Sequence, residues 1–228
     1  MIQKFTNTLP IFAWQNISIN ENNEPLVLVL ETNRLKIGIV NKDYKTNFYV
    51  RKTAAEKLIK VSESLPTGIY LVLIEGYRTI IDQQNSWDNA FKLLKKENPT
   101  WSDEEINQKV GLVVAKPLPL ANHHCGGAVD VTLMYSDGTL LDMGTPYPSE
   151  AMSAEYYTKF QMLSDGINED QKKNRKILRD AMEKEDFVWY PGEWWHYCWG
   201  DRMWAVYTGK KECFYGPVYL PIPYISFA

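Results

Sequence analysis

The sequence predicts an α+β fold, a mainly antiparallel sheet flanked by helices. Three observations point there. Short aliphatic or β-branched runs mix with capped, helix-patterned segments, without the strict strand–helix alternation of a parallel sheet. The chain has 228 residues, 45% hydrophobic and 23% charged, enough to bury a core without disulfide staples. No internal repeat or low-complexity linker divides it. One domain over residues 1–228 is therefore expected, with an N-terminal arm over 1–34 and a packed tail over 208–228.

The elements follow in order. Residues 26–30 (LVLVL) and 35–40 (LKIGIV) read as strands. Thr53-Ala54-Ala55-Glu56 has capping-box spacing and should open a helix that runs to about Ser64, before Leu65-Pro66. Residues 69–74 (IYLVLI) form a continuous apolar run, as a buried strand does. Residues 79–96 read as a helix, and Ser102-Asp103-Glu104-Glu105 caps a shorter one. Residues 128–134 (AVDVTLM) are a strand candidate, and Ser136-Asp137-Gly138 suggests a hairpin into 139–143. Residues 150–163 and 169–184 read as helices. Residues 187–190, 194–199 and 203–207 are aromatic-rich strand candidates.

Charge and cysteine content exclude some classes. Lys and Arg total 25 against 28 Asp and Glu, a net charge of -3. The densest basic run, Lys172-Lys173-Asn174-Arg175-Lys176, is flanked by acids and reads as a solvated helix face. Binding to nucleic acid by counterion release needs a concentrated basic surface, so no nucleic-acid partner is expected. Cys125, Cys198 and Cys213 are odd in number and lack paired spacing, which fits a reducing compartment. The N-terminal stretch lacks a charged region followed by an apolar one. The longest pure aliphatic run, 26–30, falls far short of the ~20 residues of a membrane span. The expectation is a cytoplasmic chain off the membrane, or a periplasmic one if an export signal has been removed.

Polar groups fall in three places where the pattern predicts burial. Asp130 sits inside AVDVTLM, after His123-His124-Cys125-Gly126-Gly127. Glu193-Trp194-Trp195-His196 lies within an aromatic stretch, and Arg78 follows the apolar run 69–74. A carboxylate in an apolar strand costs several kcal/mol unless it is paired, hydrogen-bonded or metal-bound. Two readings stay open on the residues alone. In the first, His123, Asp130 and His196 hold a metal with one position left for water, the composition of a catalytic zinc site. Glu193 is then the unligated carboxylate that takes a proton from that water. Glu193 and His196 are three apart and would face opposite sides of a regular strand, so Pro191-Gly192 must provide a loop or bulge. In the second, Asp130 is a cap or an ion-pair partner of Arg78, and His196 is a hydrogen-bonded core histidine. His124 and Cys125 read as structural, since neighbours in an extended segment point to opposite faces.

Glu75-Gly76-Tyr77-Arg78, His123-x-x-Gly126-x-Ala128-x-Asp130 and Glu193-x-Trp195-His196, in that order and spacing, resemble the D-alanyl-D-alanine dipeptidases, zinc peptidases of the vancomycin-resistance type. Weaker likenesses extend the resemblance from about residue 35 to 206. It implies one Zn2+ held by His123, Asp130 and His196 in a cleft, with Glu193 as general base and Arg78 as transition-state stabiliser. It also implies a small peptide such as D-Ala-D-Ala as substrate, and sets no oligomeric state. Two positions depart from the family: Ala121 stands for a usual Ser, and Pro148 for the Asp that holds the substrate's amino group, with Glu150 near enough in sequence to replace it. These departures open an alternative, a peptidoglycan DD- or LD-carboxypeptidase or endopeptidase acting on longer or amino-blocked peptides. A second alternative, a non-catalytic binding module, rests on Trp189, Trp194, Trp195, Trp199 and Trp204, which fall within sixteen residues.

Overall fold

The computed structural model describes residues 3–10, 12–38, 46–111, 114–116, 122–146 and 159–219. The N-terminal arm contains α1 (Phe12–Gln15), β1 (Ser18–Ile19) and β2 (Leu26–Leu28). Next come β3 (Leu35–Ile37), β4 (Tyr49–Arg51), α2 (Lys52–Ser64), β5 (Ile69–Glu75), α3 (Ile80–Glu97) and α4 (Asp103–Val110). A single 3-10 turn (Asn122–Cys125) leads into β6 (Ala128–Tyr135). The chain closes with α5 (Glu169–Lys184), β7 (Val188–Trp189), β8 (His196–Cys198), α6 (Arg202–Thr208) and β9 (Glu212–Cys213). No helix among the described residues is long and apolar enough to cross a membrane.

The main sheet has the order β3-β5-β6-β8-β7, and only β3–β5 is parallel. Side chains alternate across it. Leu35, Leu71, Leu73, Val129, Val131, Leu133 and Tyr197 pack into one apolar cluster with Leu58 and Val61 of α2 and Leu178 and Met182 of α5. The alternate positions Ala128, Asp130 and Thr132 of β6, and His196 and Cys198 of β8, belong to the opposite face. There Ala128 and Cys198 join a second cluster with Met203, Trp204 and Tyr207 of α6 and Phe5 and Leu9 of the arm. Asp130 thus sits between buried apolar neighbours on a central strand, with helices covering the other side of the sheet.

Most expected elements form, and the exceptions have local causes. Residues 203–207 lie in helix α6, where an aromatic-rich strand was expected. Asp201 accepts a hydrogen bond from Trp204 N at 2.7 Å, capping the helix, and Gly209 ends it in a left-handed conformation. Thr53 is not the cap of α2; that position is Arg51, with no side-chain cap. The Glu24 carboxylate substitutes from a distance, accepting from Thr53 N (2.9 Å) and the Thr53 hydroxyl. The turn at 136–138 forms, but the returning strand is reduced to one bridge, Met134 to Leu140. The strand expected from residue 194 begins at His196. Residues 39 and 40 of the second strand and 150–158 of one expected helix lie outside the described residues, as do Ala121, Pro148 and Glu150.

One side chain ties the arm, β4, the 3-10 turn and the tail together. Arg51 is 5% exposed. Its guanidinium donates to Cys125 O (2.8 Å), Glu24 O (2.5 Å), Gly216 O (3.2 Å) and Glu21 Oε2 (3.1 Å), and lies over the Tyr215 ring at 4.9 Å. Removing it strands several buried acceptors. Arg51→Met is expected to destabilise the chain by about 3 kcal/mol, read as a lower urea midpoint at unchanged slope.

Candidate metal centre

The register of the central strands builds the site. Asp130 of β6 pairs with His196 of β8 on one side and with Glu75 of β5 on the other, after a bulge between Leu73 and Glu75. His123 comes from the 3-10 turn just before β6. Two glycines let that turn approach so closely. Gly126 has φ 74°, and a Cβ there would meet Leu26 Cδ2 at 2.3 Å; a Cβ on Gly127 would meet Trp199 O at 2.3 Å.

His123, Asp130 and His196 are 6%, 2% and 7% exposed. Both imidazoles converge on one carboxylate oxygen: His123 Nε2 lies 3.3 Å and His196 Nδ1 3.0 Å from Asp130 Oδ1. The three ligand atoms all lie within 4.8 Å of one another. Ligand atoms about 2.0–2.1 Å from a tetrahedral zinc stand about 3.4 Å apart, so the spacing and the N,N,O donor set fit such an ion. The His123 ring is oriented for this: its Nδ1 lies 2.7 Å from Gly76 O, which fixes the hydrogen there and leaves Nε2 bare. His196 Nε2 lies 3.3 Å from Cys198 Sγ. Burial opposes ionisation of Asp130, yet the two histidines hold its carboxyl well below the usual range. Burial likewise opposes charge on His196, and the Asp130 hydrogen bond and charge outweigh it, raising its pKa.

Glu193 sits in a tight loop rather than a strand, which removes the difficulty of its spacing. Its N–H donates to Tyr190 O (3.2 Å) and its carbonyl accepts from His196 N (3.3 Å). The Glu193 charge adds to the raised pKa of His196, behind the Asp130 hydrogen bond and charge, and to that of Tyr190, behind burial. Arg78 forks onto Glu75, with Nε to Oε1 at 2.9 Å and Nη2 to Oε2 at 2.6 Å, and Nη1 donates to Gln83 Oε1 at 2.7 Å. Its backbone N–H donates to His123 O at 3.2 Å. All five expected site residues are thus brought to one region.

Several contributors escaped the sequence reading. Glu75 is fully buried and fixes Arg78; a carboxylate closing an apolar run three residues before an arginine was the available signal. Arg175, read with its basic run as part of a solvated helix face, is instead 1% exposed: it donates to Met143 O (2.7 Å), Gln161 O (2.6 Å) and Lys159 O (2.7 Å) and lies over the Trp194 ring at 5.7 Å. Burial brings its pKa down to about 10. His124 lies in the 3-10 turn, not an extended segment, and its Nδ1 meets Arg78 O at 2.6 Å. The tryptophan faces are spent on packing: Trp189, Trp194, Trp195 and Trp204 are all 4% exposed or less. Trp195 meets Phe160 edge-on at 5.1 Å, and Trp194 donates to Thr145 Oγ1 at 2.9 Å.

The chain is similar to several known proteins. A D-alanyl-D-alanine dipeptidase from a Synechocystis species is 28% identical over 62% of this chain and 64% of its own length. One from Enterococcus faecium is 32% identical over 63% of this chain and 69% of its own. The alignments thus span about two thirds of these relatives. Among solved structures, a vancomycin-resistance D,D-pentapeptidase VanY in complex with Zn(II) overlays with TM-score 0.46 and 15% identity, covering 92% of this chain and 94% of that one. The profile of the Peptidase_M15 family, described as D-ala-D-ala dipeptidase, matches residues 29–215. With most of its length inside that match, the chain belongs to the Peptidase_M15 D-Ala-D-Ala dipeptidase family.

Proposed function

We propose that the chain is a zinc-dependent dipeptidase that hydrolyses D-Ala-D-Ala or a closely related small peptide. The observation that carries this is the convergence of His123, Asp130 and His196 within 4.8 Å, beside the Glu193 loop, in a chain of this family. His123, Asp130 and His196 would hold the zinc, which would supply Lewis acidity that brings the ionisation of water toward neutral pH, about 7. Glu193 accepts the proton of the attacking water and delivers it to the leaving amine. Arg78, held by Glu75 and Gln83, donates hydrogen bonds to the oxyanion as charge develops. Gly76 O keeps the His123 ring oriented before substrate arrives. The Trp194–Trp195 pair that follows Glu193 is buried, its rings packed edge-on.

Glu193→Ala is expected to keep stoichiometric zinc while turnover falls about 10²–10⁴-fold; a wild-type rate in that variant removes Glu193 from the base role. His196→Ala is expected to lose zinc on dialysis, measured by atomic absorption, and a full complement of metal would refute the ligand assignment. On substrate, D-Ala-D-Ala is expected to be cut faster than its N-acetylated form. The reverse preference would favour a carboxypeptidase or endopeptidase acting on amino-blocked peptides.

A further inference from the structure

Behind His196, on the side away from Asp130, lies a small buried polar group that the proposed chemistry does not use. Cys198 Sγ is 3.3 Å from His196 Nε2, and Asn122 Nδ2 donates to the same sulfur at 3.3 Å. Asn122 is held in turn by the Cys125 thiol, which donates to its carbonyl at 2.8 Å. Cys198 is fully buried and Asp201 is 2% exposed. Asp201 Oδ1 caps α6 through Trp204 N, while its buried Oδ2 has no hydrogen-bond partner among the described residues. A buried carboxylate oxygen without a partner is costly and calls for a donor.

We propose that Cys198, backed by Asp201, is a positioning residue that sets the tautomer and orientation of His196. This role rests on the ligand assignment above. An imidazole that offers Nδ1 as a ligand carries its hydrogen on Nε2, and that hydrogen needs an acceptor. Cys198 Sγ is the acceptor within reach. The sulfur then accepts from both Asn122 and His196, and the thiol's own hydrogen is left to turn to the buried Asp201, whose Oδ2 has no hydrogen-bond partner among the described residues. The relay runs His196 Nε2–H to Cys198 Sγ–H to the Asp201 carboxylate. Strand pairing aids it: His196 and Cys198 are two apart on β8 and project to the same face. A thiol is a weak acceptor, so a serine hydroxyl at this position should serve at least as well.

The test is zinc affinity, measured on the full chain by competition with a chromophoric chelator, with melting temperature as the folding control. Cys198→Ala is expected to bind zinc 10–100-fold more weakly, and Cys198→Ser to match the wild type within a few-fold. Asp201→Asn retains a capping oxygen but exchanges an acceptor for a donor, and is expected to bind several-fold more weakly. Should Cys198→Ala fail to fold, Asp201→Asn decides the matter. Wild-type affinity in either folded variant overturns the relay. A thiolate-to-metal charge-transfer band in the cobalt(II)-loaded wild type also overturns it, because the sulfur would then be a ligand. A wild-type chain that takes up no zinc refutes the ligand assignment itself, and this role with it.

Discussion

The constraint on which the structure turns is a carboxylate on a central strand. Asp130 sits in the middle of β6 with Ala128 and Val129 on one side and Val131 on the other, all fully buried. Desolvating such a charge costs several kcal/mol or more, and a sheet interior has no water to refund it. Two imidazoles aimed at a single oxygen are the compensation, and their positions dictate much else. His196 must lie directly across on β8, which fixes the register of that pair. His123 must descend from the preceding turn, which forces two glycines at points where no side chain fits.

Two buried arginines gather backbone carbonyls from segments around the centre. Arg51 gathers the carbonyls of Cys125, Glu24 and Gly216, and Arg175 gathers those of Met143, Gln161 and Lys159. Each guanidinium spreads rigid donors over segments distant in sequence, which suits carbonyl groups that a loop cannot pair internally. Arg51 anchors the turn bearing His123. Arg175 lies over the ring of Trp194, the residue after Glu193. The geometry of the centre therefore depends on contacts made at some remove from it.

What was legible in the sequence follows from this division. Asp130 stood out because a charge interrupts an apolar run, and the capping box at Ser102 and the helix over residues 169–184 are local patterns that tertiary packing did not override. The helix at Met203 to Tyr207 was misread because aromatic content favours strands only where no cap intervenes, and the Asp201 cap outweighs that preference. Thr53 misled for the converse reason: its local spacing was right, but Glu24 supplies the cap from elsewhere in the chain. The carbonyl contacts of Arg175 and the approach of Asn122 to Cys198 have no periodic signature, because they come into being only when strands and loops meet.

The tail has a bearing on how the protein matures. Val218 N–H donates to His124 O at 2.8 Å, and the Tyr77 hydroxyl donates to Val218 O at 2.7 Å. Residue 218 thus closes over the turn that carries His123, next to the strand end that carries Arg78. Pairings this distant in sequence form late and slowly, after the entropy of closing long loops has been met. The main sheet can assemble while the turn at 122–125 still lacks the hydrogen bond from Val218 N. The turn that carries His123 is completed only once residue 218 has docked against it.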